Sequence, residues 1–65
     1  MDNTTRLILM LDREFDKTVE SIANKKFLMN RTGDFREIAA LASEAADLED
    51  YLETLFHMAQ EILEV

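Results

Sequence analysis

The chain has 65 residues, a net charge of −7, no cysteine and one histidine, His57. Disulfides, thiolate metal sites and multi-histidine centres are thereby excluded. A domain this short buries only about 60% of the surface its unfolded chain exposes, so a partner chain is the common remaining device, a well-packed hairpin standing alone being the alternative. Proline is absent, Gly33 is the only glycine, and Ala, Leu, Glu and Met are plentiful. Without period-2 alternation, that composition predicts an all-α chain. With 48% hydrophobic residues it is too apolar for a disordered acidic tail.

The first helix is expected over about 4–29, with Asp2, Asn3 or Thr4 as N-cap. Ile8, Leu11, Phe15, Val19, Ile22 and Ala23 form one apolar stripe at helical spacing, and Asp12, Arg13, Asp16, Lys17 and Glu20 occupy much of the rest. Phe27-Leu28-Met29 is either its last turn or a short extended piece. A turn follows over about 30–34, the only stretch with turn chemistry, where Gly33 suits the positive φ found just past a helix end. Asp34 can cap the next helix, with Glu37 placed to complete a capping box.

The second helix is expected over about 35–64. Ile38, Leu41, Ala45, Leu48, Leu52, Leu55, Ala59 and Ile62 follow spacings of three and four throughout, which is a heptad seam. A short turn makes the two helices antiparallel. Ile22 then falls opposite Leu41–Ala45, Phe15 opposite Leu48–Tyr51, and Ile8 near Leu55–Ala59. The reading is a single-domain, antiparallel two-helix hairpin over residues 1–65, completed by oligomerisation or a partner chain.

More apolar surface is present than one seam per helix can hide. Leu7-Ile8-Leu9-Met10-Leu11 is apolar around the whole helix circumference, and Tyr51, Phe56, Met58, Leu63 and Val65 flank the second seam. The antiparallel geometry brings these together at the open end, while the flanks near the turn are small: Ala39, Ala40, Ala42 and Ala46. The partner-binding candidates are therefore Leu7, Met10, Leu11, Tyr51, Leu52, Leu55, Phe56, Met58, Ile62 and Leu63. The partner is either a different protein or a second copy.

Other chemistries fit less well. Up to Gly33 six basic residues meet five acidic ones, but from Asp34 onward nine acidic residues face only Arg36, which disfavours nucleic acid along the second half. Lys25, Lys26 and Arg31 form a small basic cluster that suits a helix C-terminus better than an RNA footprint. His57 with Glu53 and Glu61 falls short of the three good ligands zinc normally recruits. Asp47, Glu49, Asp50 and Glu53 read as a solvated face, because a catalytic carboxylate needs a pocket to perturb it. No enzyme activity and no cofactor are expected. The start Met1-Asp2-Asn3 lacks a basic n-region, and the run Leu7–Leu11 is too short to span a bilayer, so the expectation is a cytoplasmic protein without a membrane partner.

The stretch Arg31-Thr32-Gly33-Asp34, then Ala46-Asp47-Leu48-Glu49, then Leu55-Phe56-His57-Met58-Ala59-Gln60-Glu61-Ile62-Leu63, resembles the small co-chaperones of type III secretion needle subunits (the YscE, PscE and EscE type). The likeness lies mainly in the second half, and the first helix adds Thr5-Arg6-Leu7 and Leu11. Phe35-Arg36-Glu37-Ile38 stands where that family often has a Gln- and Tyr-containing segment. The resemblance implies a bacterial cytoplasmic hairpin that pairs with a TPR-like chaperone and helps hold the needle subunit monomeric. The alternative is a homodimeric four-helix-bundle regulator, phage-encoded in one version, that binds RNA or a host protein.

Overall fold

The computed structural model describes residues 2–64, and these form two helices, α1 over Asn3–Arg31 and α2 over Phe35–Leu63, of 29 residues each. Glu14 reaches Tyr51 and Lys25 reaches Glu44, so the helices run antiparallel in the expected register. The all-α hairpin is therefore the fold of the chain. Val65, expected beside the second seam, lies outside the described residues. Among the described residues no helix is long and apolar enough to cross a membrane.

Each helix start is fixed by an aspartate. Asp2 accepts a 2.7 Å hydrogen bond from the Thr5 amide, satisfying one of the free N–H groups of the first turn. That hydrogen bond from the Thr5 backbone holds the Asp2 carboxyl below its ordinary range. Asp34 accepts from the Arg36 amide at 2.9 Å. The capping box expected around it is replaced by a different arrangement. Glu37 receives the Thr32 hydroxyl at 3.0 Å rather than the Asp34 amide, and the Asp34 amide donates to Thr32 Oγ1 at 3.2 Å. Thr32 has taken the middle of the network because its hydroxyl both donates and accepts.

α1 runs through Phe27-Leu28-Met29 and ends at Arg31, two residues beyond the boundary expected near 29. Arg31 lies in the last turn, where a cation suits the helix dipole, and its guanidinium sits 5.1 Å from the centre of the Phe27 ring. The link is only Thr32-Gly33-Asp34. Thr32 (φ −89°, ψ 145°) and Asp34 (φ −92°, ψ 114°) are both extended, and Gly33 does not take the positive φ expected of it. Two extended residues already turn the chain, so no left-handed position is required.

The α2 seam is as expected. Ala45 and Leu55 are buried, and Ile38, Leu41, Leu48, Leu52, Ala59 and Ile62 are half-buried. The α1 stripe differs. Ile8 and Leu11 are half-buried and Ile22 is buried, but Val19 and Ala23 are exposed and Phe15 lies at the margin. In their place stand Thr18, buried at 5% exposure, with Ser21, Lys25 and Met29 half-buried. The seam actually used (Ile8, Leu11, Phe15, Thr18, Ile22, Lys25, Met29) keeps an unbroken three-four spacing that matches the heptad of α2. The Thr18 hydroxyl donates to the Glu14 carbonyl at 2.7 Å, so its burial strands no polar group.

The Cα extents are 49 × 17 × 10 Å, a ribbon one helix thick. Among the described residues only Thr18, Ile22, Ala45 and Leu55 are buried. Both broad faces of the ribbon are open, and that geometry defines the candidate site.

Candidate functional site

Heptad spacing assigns side chains to the two faces, and the cross-helix contacts identify which is which. On one face Glu49, Phe56 and Leu63 recur every seven residues of α2, opposite Asp12, Val19 and Lys26 of α1. Lys26 meets Glu49 across this face at 3.2 Å. On the other face Glu44, Tyr51 and Met58 oppose Leu7, Glu14, Ser21 and Leu28. Here Lys25 meets Glu44 at 3.1 Å and the Tyr51 hydroxyl donates to Glu14 at 3.2 Å. Partial burial, then the Glu14 charge and that hydrogen bond, push the Tyr51 phenol above its ordinary range.

The sequence-derived partner residues do not come together as one patch. Leu55, at 3% exposure, is covered by the hairpin itself, and Leu11, Leu52 and Ile62 are half-buried in the seam. Phe56 and Leu63 lie on the first face, 55% and 64% exposed. Leu7, Met10, Tyr51 and Met58 lie on the second, all exposed. The apolar excess also reaches beyond the open end, contrary to the expectation that it concentrates there. Phe27, Leu28 and Phe35, beside the turn, are exposed as well, Phe35 the most of all at 80%.

Sequence reasoning missed the α1 half of the Phe56 face. An open groove of about 170 Å³ is lined by Ile8, Leu11, Asp12, Phe15, Leu55, Phe56 and Ala59. Val19, one turn beyond Phe15, extends its apolar wall. By spacing Ile8, Phe15 and Val19 all read as seam; Ile8 and Phe15 belong to it at its groove-side margin, and Val19 does not. The unbroken spacing through Thr18 and Lys25 was the signal that Val19 lies outside it.

The two faces differ in charge. Beside the groove the ionisable residues are Asp12, Asp16 and Glu53, and Lys26 is already engaged by Glu49. Lys17 leans toward the other face, where α2 carries Asp47 and Glu61, and Arg6 and Arg13 lie on the back of α1, away from α2. His57 is exposed, its Nε2 3.6 Å from Glu53, and among the described residues no cluster of three His, Asp or Glu side chains could hold a metal ion. Lys25 and Lys26 of the turn-end basic cluster are paired with Glu44 and Glu49, and Arg31 packs on Phe27.

The exposed surface measures 5284 Å². A compact monomer of 7.5 kDa exposes roughly 4,200 Å². The excess, roughly 1,000 Å², is comparable to the ~800 Å² each partner buries in a standard interface. Phe15, Val19, Phe56 and Leu63 are 36–64% exposed; completing their burial offers roughly 3–6 kcal/mol gross, from the usual 1.5–3 kcal/mol for a whole side chain. No family model matches this sequence, and no curated protein and no solved structure matches it either.

Proposed function

We propose that this chain is a non-enzymatic protein-binding module, a thin hairpin that completes its hydrophobic burial against another protein. The observation that carries this reading is the apolar groove on a ribbon only one helix thick, with Phe56 and Leu63 more than half exposed beside it. The likeness of residues 31–63 to needle-subunit co-chaperones gives the reading its specific form. In that form the chain pairs with a TPR-like chaperone in the bacterial cytoplasm, and the pair holds a type III secretion needle subunit monomeric. Co-expression with a TPR-like chaperone and a needle subunit tests it: a complex that survives size exclusion is expected, and failure of both to co-purify rejects the co-chaperone role.

The second reading, a homodimeric four-helix bundle, has one observation in its favour. On the Tyr51 face, α1 presents Lys17 and α2 presents Asp47 and Glu61, so a two-fold related copy would set opposite charges against each other. Light scattering on the isolated chain separates the two: a monomer removes the homodimer. A nucleic-acid role for the Lys25–Arg31 end predicts steep salt-dependent RNA binding lost on Lys25→Ala/Lys26→Ala, and its absence removes that version.

A further inference from the structure

We propose that the Phe56 face receives one amphipathic helix of a different protein, whose apolar stripe is flanked by lysine or arginine. This rests on the protein-binding reading and adds the face, the shape of the occupant and its charge.

The shape follows from the groove. Its apolar walls are Ile8, Phe15 and Val19 on α1 and Phe56 and Leu63 on α2, with Leu11, Leu55 and Ala59 as the floor. From Ile8 to Val19 this strip is about 17 Å long, or three helical turns. The Lys26–Glu49 pair crosses the same face and ends the strip on the turn side. A groove between two parallel ridges of side chains accepts a third helix, with its knobs packed between them.

The charge excludes a second copy as the occupant. Asp12 and Asp16 edge the groove on α1, Glu53 edges it on α2, and among the described residues the only cation on this face is Lys26, held by Glu49. A two-fold axis along the helices sets α1 of one copy over α2 of the other, bringing Asp12 and Asp16 against Glu53. A two-fold axis across the helices sets α1 over α1, bringing the aspartates against themselves. Either arrangement places like charges around an apolar contact, which opposes association. A helix with cations beside its apolar stripe meets the opposite sign on both edges.

The chain also divides its α1 residues as this occupant requires. Thr18 occupies the seam while its apolar neighbour Val19 is left 43% exposed on the groove wall. An isolated hairpin would gain more from the reverse placement. A helix serving two interfaces, α2 on one side and a partner on the other, needs its apolar arc to extend past the seam in this direction.

The test uses the full chain and two fluorescent helical peptides of about 20 residues (three to four turns in contact), sharing one leucine–alanine stripe. One is flanked by lysines and the other by glutamates, and binding is read by anisotropy. The lysine-flanked peptide should bind at least tenfold more tightly. Asp12→Lys/Asp16→Lys/Glu53→Lys should invert that preference, whereas Asp47→Lys/Asp50→Lys/Glu61→Lys, matched in charge but off the groove, should not. Val19→Asp and Phe56→Asp should weaken binding tenfold or more with helicity by circular dichroism retained, and Met10→Asp, on the other face, should leave it unchanged. The inference is overturned by no peptide preference, by equal effects from the off-groove reversal, or by a dimer dissociated by Phe56→Asp but not by Met10→Asp. Binding that follows Met10 instead of Phe56 also overturns it while leaving the protein-binding reading intact. Loss of co-purification with a TPR-like chaperone, with peptide binding preserved, rejects the co-chaperone role and leaves this inference standing.

Discussion

The two helices have equal length but opposite legibility. Every seam position of α2 is apolar, and every one faces α1. In α1 the seam includes Thr18, Lys25 and, beside it, Glu14 and Ser21, while Val19 and Ala23 face outward. A helix packed against one neighbour turns the stripe that matches the partner's heptad toward it, even when a more apolar residue lies one position away. The apolar residues excluded by that choice in α1 become the wall of the groove. An irregular hydrophobic pattern therefore points to a second interface, where a regular one marks only the first.

The difference can be tested by substitution. The largest effect should come from Leu55→Ala in the α2 seam. Removing a buried leucine destabilises by about 2–5 kcal/mol, which a hairpin with only four buried residues among those described cannot absorb, so the isolated chain should lose most of its helical circular dichroism. In α1 the contrast lies between Ile22 and Val19. Ile22→Thr buries a hydroxyl in the seam and should cost about 1–3 kcal/mol in urea denaturation. Val19→Thr should change the isolated chain by less than ~0.5 kcal/mol, as at ordinary surface positions. Equal costs at the two positions would mean that Val19, not Thr18, faces α2.

The link provides a smaller, opposite-signed effect. Gly33 lacks a positive φ and has open space where a Cβ would stand. Gly33→Ala should therefore stabilise the chain by about 0.4–1 kcal/mol, through the unfolded state, as a raised thermal midpoint. Destabilisation would show that the link uses a left-handed glycine after all.

The smallest effect is in the pH dependence. Folding raises the Tyr51 pKa above 10.0, so the neutral phenol is favoured in the folded state. Its contribution is whole below pH 10 and is lost as pH rises through the raised value. Tyr51→Phe should flatten the alkaline limb of a stability–pH profile and leave the rest unchanged. Asp2 acts in the opposite direction: its lowered pKa gives a contribution present above the ordinary 3.8 and lost as pH falls through the lowered value, so Asp2→Asn should flatten the acid limb.

The sequence by itself determined the helices, the antiparallel order and the α2 seam. These depend on local quantities: the absence of proline, aspartates placed to cap, and an apolar period repeated without error from Ile38 to Ile62. It also showed that apolar surface would be left over, because five consecutive apolar residues cannot all face one neighbour. Tertiary structure alone decided the rotation of α1. That rotation separates Phe56 and Leu63 from Tyr51 and Met58, places Val19 and Phe15 on the groove wall, and sets Asp12, Asp16 and Glu53 beside the groove. The angle at which α1 settles is a property of both helices at once. It is fixed by how α1's three-four spacing meshes with α2's, and neither helix specifies it alone.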